Sequence, residues 1–254
     1  MGLSLTTAGK WVERWELQQR RYAVDREDRF TVIADVVEHV TVGRTDRPVV
    51  VDLGCGPGSL AARLADRLPY AEIVAVDRDP LLLELARTHH PDAARYVDTV
   101  IGEDGWTRAL ALDRPLDAAV STTALHYLGP GALRRVYRDV AALLRPGGVL
   151  VNGDHLPQHD SQLAELAACV GRRRAERQRA FAHEDWAAWW TAAAEEPELV
   201  GLLAERNGRQ PATGTDSAAR LSLSDHVRLL RGAGFRRAGA VWQYGDSCVV
   251  VAVR

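Results

Sequence analysis

The residues with the clearest chemical promise are the run Asp52-Leu53-Gly54-Cys55-Gly56-Pro57-Gly58 and, nineteen positions beyond Gly58, Asp77. Glycines permit a tight turn and let a ligand come close to the backbone. A helix opening just after them would turn unpaired N–H groups toward polar or negative groups. A carboxylate at the offset of Asp77 can accept both hydroxyls of a ribose. Together these residues suit a nucleoside-containing cofactor. The competing reading is a structural turn with surface aspartates, which requires loop, acid and strand context to coincide by accident.

Those residues need a strand before the loop, a helix after it and a second strand under the acid. Val49 to Leu53 is a short β-branched run, as in a strand buried on both faces, and Ser59 to Leu68 reads as a helix. Ile73 to Asp77 is a second strand, and Pro80 opens a helix whose apolar face holds Leu81, Leu82, Leu85 and Ala86. Arg95 to Val100 and Leu116 to Ser121 are further strands. A helix through Leu133, Val136 and Val140 stops at the breaker cluster Arg145-Pro146-Gly147-Gly148, and Val149 to Val151 is the fifth strand. Such alternation calls for a parallel sheet covered by helices on both faces.

Residues 9–42 read as helical before this core, and Thr45 to Pro48 as a polar loop. The stretch 156–219 is helical, rich in Arg, Ala, Glu and Trp, with no strand signal. Ser222 to Gly232 is a helix with Ser222 or Ser224 as cap. Gly234-Phe235 opens a strand running to about Trp242, and Ser247 to Val253 is the last, so the pair forms an antiparallel hairpin. The organisation expected is a helical cap (1–44), a core (45–155 and 220–254) and a helical insertion (156–219) acting as lid or dimer element.

The spacing is GxGxG, not the GxGxxG of dinucleotide sites, and it resembles the first motif of class I S-adenosylmethionine-dependent methyltransferases. Val74 to Asp77 resembles their second motif, and Glu103-Asp104 their adenine-contacting acidic pair. Leu144 to Gly148 and Leu230 to Phe235 resemble the segments before their fifth and sixth strands. The likeness covers 45–155 and 220–254 and points to small-molecule members. It implies an α/β doubly wound, seven-stranded, mostly parallel sheet of order 3-2-1-4-5-7-6, strand 7 antiparallel. It also implies S-adenosyl-L-methionine as cofactor and no metal. By this resemblance Asp52, Gly54, Cys55, Gly56 and Gly58 meet the methionine side. Asp77 holds the ribose, Arg78 lies over the adenine, and Asp104, Gly105 and Trp106 lie beside it, though many relatives have Gly-Asp where this chain has Glu103-Asp104. Ser121, ending the fourth strand, belongs to the same set. Tyr22 and Arg26, one turn apart on one helical face, would reach the cofactor's carboxylate.

Methyl transfer is a displacement, and alignment and water exclusion lower its barrier more than any one residue does. A base is needed only where the nucleophile carries a proton. His126, in Ala124-Leu125-His126-Tyr127, can take one; packing under the cofactor is the preferred reading, because many similar enzymes need no base. Asp154 and His155, ending the fifth strand, are the other catalytic or substrate-anchoring candidates. Trp186, Trp189 and Trp190 share a helical face, and with Trp11 and Trp15 they either pack the insertion or line a lid suited to a hydrophobic or cationic acceptor. The run Arg172, Arg173, Arg174, Arg177 and Arg179 spreads around a helix and reads as a solvated surface rather than an RNA contact.

A formal net charge of −2 does not advertise a nucleic-acid-binding face. Cys55, Cys169 and Cys248 form no zinc or disulfide pattern. With no span-length apolar run and no leader-like start, a cytoplasmic protein is expected. The expected partner is a small-molecule substrate, with a homodimer open. Competing functions are an RNA-modification enzyme, a carboxy-S-adenosylmethionine-type enzyme suggested by Ala233-Gly234-Phe235 and Val241-Trp242-Gln243, a non-catalytic cofactor-binding protein and, more distantly, a dinucleotide dehydrogenase.

Overall fold

A computed structural model describes residues 2–43, 46–209 and 221–254. Thr45, the segment 210–219 of the insertion, and the boundaries set at 44, 45 and 220 lie outside the described residues. Two helices come first, α1 (Leu5–Tyr22) and α2 (Arg26–Thr41). The continuous helical reading of 9–42 is therefore corrected. Ala23 leaves helical geometry at φ −132° and ψ 77°, and Asp25 restarts the chain ahead of Glu27 and Asp28, acids that suit a helix N-terminus. Tyr22 and Arg26 thus sit on different helices.

Five strands run parallel: β1 (Val49–Leu53), β2 (Glu72–Asp77), β3 (Arg95–Asp98), β4 (Leu116–Thr122) and β5 (Leu144–His155). The helices α3 (Ser59–Arg67), α4 (Pro80–His89), α5 (Trp106–Ala109) and α6 (Pro130–Leu143) connect them. Three more, α7 (Ser161–Arg177), α8 (Trp186–Ala194) and α9 (Val200–Arg209), form the insertion, and α10 (Leu223–Gly232) follows. The hairpin β6 (Arg237–Tyr244) and β7 (Ser247–Val253) closes the chain, and β7 lies antiparallel to β5. The sheet order is the expected β3-β2-β1-β4-β5-β7-β6.

Alternation along the strands divides the core. Val49, Val51 and Leu53 face α6 and α10, whereas Val50 faces α2 and α3. The breaker cluster 145–148 does not precede β5 but forms an irregularity within it. Gly147 takes φ +77°, and Arg145 donates to Asp117 at 2.6 Å and to the Val40 carbonyl at 2.7 Å. Phe235 is buried core rather than strand, and only Gly245 and Asp246 separate β6 from β7. Ser222 caps α10 reciprocally with Asp225.

The insertion is anchored by tryptophans. Fully buried Trp189 stands edge-on to Trp11, Trp15 and Trp190, with centroids 5.3, 5.2 and 4.8 Å away. With Leu81, Leu82 and Leu85 of α4 they make a third core that joins α1, α8 and the sheet domain. Sheet order reverses between β1 and β4, and in open α/β sheets the crevice at such a switch point takes the ligand.

Candidate active site

The loop after β1 is shaped for close approach. Gly54, Gly56 and Gly58 all take positive φ, at +76°, +54° and +84°. A Cβ on Gly54 would lie 2.3 Å from that of Ala124, so β1 and β4 meet here more closely than any side chain permits. A Cβ on Gly56 would face Trp15 at 3.7 Å, which places α1 over the loop. Beneath it, the Ser121 hydroxyl donates to the Leu53 carbonyl at 2.8 Å and ties β4 to β1.

Asp77 locks the loop. One oxygen accepts the Gly56 N–H at 2.8 Å, and the other accepts those of Arg78 at 2.7 Å and Asp79 at 3.0 Å. Burial still pushes its carboxyl up, against those amides. Asp52 is buried, and neither carboxylate oxygen receives a hydrogen bond of normal geometry. Burial, then the Asp77 charge, raises its pKa to about 7, and the Ala61 amide offsets only part. An orphaned carboxylate beneath a glycine loop suits a cationic or donor group from a ligand. Burial likewise holds the Cys55 thiol well above its usual range, so Cys55 is no nucleophile.

At the ends of β4 and β5 the chain builds an acid–imidazole pair. His126 Nδ1 lies 3.0 Å from both oxygens of Asp154. Asp154 is 2% exposed and also accepts the His155 N–H at 2.8 Å. Burial would raise its pKa, but the hydrogen bond and charge of His126, with Arg29, hold it below the usual carboxylate value. His155 is engaged differently. Its Nε2 lies 2.8 Å from the Arg29 guanidinium and 2.9 Å from the Tyr22 carbonyl, and its Nδ1 lies 3.4 Å from Asp246. Arg29 is fully buried, donates to Ser247 at 2.6 Å and pairs with Asp25 at 3.4 Å.

One cavity of about 620 Å³ gathers Tyr22, Arg26, Gly54, Cys55, Gly56, His126, Asp154 and His155. Asp154 and His155 reach it from opposite faces of β5, because the strand ends there. Tyr22 accepts the Trp186 N–H at 2.8 Å and so fixes the start of α8, while Arg26 pairs with Glu16. The remaining site candidates lie off that wall. Asp52, Gly58 and Ser121 lie at or beneath the loop; Asp77 and Arg78 end β2; Asp104, Gly105 and Trp106 follow β3. Arg78 donates to the Arg209 carbonyl of α9 at 2.6 Å, Asp104 is exposed, and buried Trp106 gives its indole N–H to Asp139 at 2.8 Å. The basic run is not wholly solvated as expected, since Arg172 and Arg174 line the cavity. Asp25, Arg29 and Asp246 were missed, because single charged residues in helices and turns carry no pattern.

Residues 50–148 match the family described as a methyltransferase domain. Among curated proteins the chain is similar to a trans-aconitate 2-methyltransferase of Streptomyces coelicolor, 33% identical over 52% of this chain and 42% of that protein. It is also 30% identical to a ribosomal RNA small subunit methyltransferase H of Mycobacterium avium, over 72% of this chain and 52% of that one. The chain spans about half the length of these curated relatives. Its fold is shared with magnesium protoporphyrin IX methyltransferase of Synechocystis, at TM-score 0.55 and 15% identity, over 96% of this chain and 94% of that one. Motif, sheet order and domain match agree: residues 50–148 match a methyltransferase domain, and the sheet has the order that the resemblance to the class I S-adenosylmethionine-dependent enzymes implies.

Proposed function

We propose that this protein methylates a protonated oxygen or nitrogen of a small organic acceptor, with S-adenosylmethionine as methyl donor and His126 as general base. The observation that carries the base assignment is the His126–Asp154 pair. Nδ1 held 3.0 Å from both carboxylate oxygens is the protonated nitrogen, which leaves the Nε2 lone pair for the acceptor's proton. No hydrogen bond engages Nε2 among the described residues, whereas both ring nitrogens of His155 have neighbours. His155 and the buried Arg29 then serve as a brace.

The residues present fit the cofactor. Gly54 and Gly56 line the cavity with backbone alone, and Asp52 beneath them offers two buried oxygens with no hydrogen-bond partner of normal geometry among the described residues. S-adenosylmethionine, when bound, supplies a methyl group on a positively charged sulfur. Gly54, Cys55, Gly56 and Gly58 would hold it along the backbone, Asp52 on its methionine side and Asp77 at its ribose. Arg78, Asp104 and Gly105 flank its adenine end, with Tyr22 and Arg26 toward its carboxylate. Trp106 and Ser121 act from beneath, tying their turns to α6 and β1. The protein's remaining task is to exclude water and align the acceptor. Asp154 stabilises the imidazolium that forms when His126 takes the proton.

The relatives named for trans-aconitate support a small acceptor. The relative named for ribosomal RNA supports a second reading, in which nucleic acid binds and weakens steeply with salt. No described helix is long and apolar enough to cross a membrane. The test is titration with S-adenosylhomocysteine, then a methyl-transfer screen of small acceptors with wild type and His126→Gln. Unchanged binding with transfer reduced roughly 10²–10⁴-fold is expected. Full transfer by the variant overturns the base, and turnover on no acceptor would favour a cofactor-binding protein without catalysis.

A further inference from the structure

The cavity wall carries the guanidiniums of Arg21, Arg26, Arg172 and Arg174 and the carboxylates of Asp25, Asp154 and Asp246. Most of this charge is paired. Arg26 faces Glu16, and Arg174 donates to Asp28 at 2.5 Å and lies over the Tyr244 ring. Asp25 faces Arg29, Asp154 faces His126, and Asp246 faces His155. Arg21 and Arg172 are left. Arg21 is half-buried, and its Nη1 donates to the carbonyls of Phe181 at 2.7 Å and His183 at 3.1 Å; no carboxylate meets it among the described residues. Arg172 is exposed and makes no ion pair or hydrogen bond among the described residues.

The setting of both is built rather than incidental. Ala168, Gly171, Arg172 and Ala175 recur at i, i+3, i+4 and i+7, so one face of α7 turns to the cavity. That face carries three small residues and one long cation. Arg21, pinned by two carbonyls, is a guanidinium whose geometry is set before any ligand arrives, with its remaining N–H groups unspent among the described residues. A carboxylate is the group whose charge and fork match such a donor. The ring of Phe181 lies under Arg21 and that of Trp186 lines the same cavity, which suits a planar apolar body on the acid.

We propose that Arg21 and Arg172 form a carboxylate subsite for the acceptor, so that the substrates are small hydroxylated acids, aromatic ones fitting best. This rests on the methyl-transfer reading and extends it to substrate class. The acid anchors at α1 and α7, and the hydroxyl is presented to His126. The cofactor's own carboxylate is the other source of this chemistry. Arg26 is better placed for it, since its partner Glu16 also pairs, at 3.3 Å, with Arg63 of α3, the helix that follows the glycine loop.

The experiment is calorimetric titration of wild type, Arg172→Gln, Arg21→Gln and Arg21→Lys. The probes are 4-hydroxyphenylacetate, 3-(4-hydroxyphenyl)propanoate and their carboxamides, with and without saturating S-adenosylhomocysteine. Wild type should bind the acids at least about tenfold more tightly than the amides. Arg172→Gln, which removes no hydrogen bond or ion pair among the described residues, should remove most of that preference, and Arg21→Lys should keep part of it. Equal binding of acid and amide, or an acid preference that survives in Arg172→Gln and Arg21→Gln, overturns the subsite. Weakened S-adenosylhomocysteine binding in these variants would assign the two arginines to the cofactor and overturn it too. Failure of wild type to bind S-adenosylhomocysteine counts against the methyl-transfer reading alone, because the acid–amide comparison on the free protein still decides the subsite.

Discussion

Replacing Asp52 with Asn tests the electrostatics under the glycine loop. Burial and Asp77 raise the Asp52 pKa from 3.8 to about 7. At about 1.4 kcal/mol per unit, that shift corresponds to roughly 4 kcal/mol against the ionised folded form. Local relaxation and water entry reduce it, so about 1–3 kcal/mol is expected to be measurable. The sign follows from proton linkage. A carboxyl with a raised folded pKa binds protons more readily folded than unfolded, so its contribution is fully present below about pH 4. It is lost as pH rises from there to about 7. Wild-type stability should therefore fall between pH 5 and 7 relative to Asp52→Asn, and the variant should be the more stable at pH 7.5. Affinity for S-adenosylhomocysteine should move the opposite way, rising with pH in wild type as the ionised Asp52 becomes available, and losing that slope in the variant. Urea denaturation and calorimetry at four pH values supply both readouts. Parallel stability profiles for the two proteins would refute the raised pKa, and parallel affinity profiles would refute the contact with the cofactor.

Further outcomes are equally specific. Asp154→Asn keeps the shape but lets His126 turn its proton outward, so transfer should fall about 10²–10³-fold in single-turnover assays with little change in S-adenosylhomocysteine affinity; an equal loss of both would make Asp154 structural. Gly54→Ala forces a Cβ to within 2.3 Å of Ala124 at positive φ, and should cost about 1–3 kcal/mol in urea denaturation besides weakening the cofactor. Trp189→Ala empties the centre of the ring cluster and should destabilise by about 3–5 kcal/mol; a change below about 1 kcal/mol would mean that the insertion is not held by this core. Wild-type protein should also lose stability in acid as Asp154, whose pKa lies below the usual value, takes up a proton. Asp154→Asn should lack that component in a comparison below about pH 4.

The strands and the cofactor loop were legible in the sequence because both are written in short stretches of chain, whereas the order of the sheet followed from the family resemblance. A β-branched run, three glycines and an acid at the next strand end fix local geometry whatever surrounds them. The helix break at Ala23–Asp25 was not legible, since a turn formed without glycine or proline leaves helical periodicity almost intact. The chemistry of the site was less legible still. His126 and Asp154 are 28 residues apart and meet only because β4 and β5 are neighbours in the sheet. His155 looked equivalent until Arg29, brought across by α2, and Asp246, brought by the terminal hairpin, occupied its ring. Arg21 and Arg172 were two cations among many, and the fold set them apart by providing carboxylates for their neighbours and, among the described residues, none for them. Sequence alone settled the parallel strands and the glycine turn, because these depend on residues close in the chain. Which charge is paired, which lone pair stays open and which proton can move depend on contacts across the whole fold, and tertiary structure alone decided them.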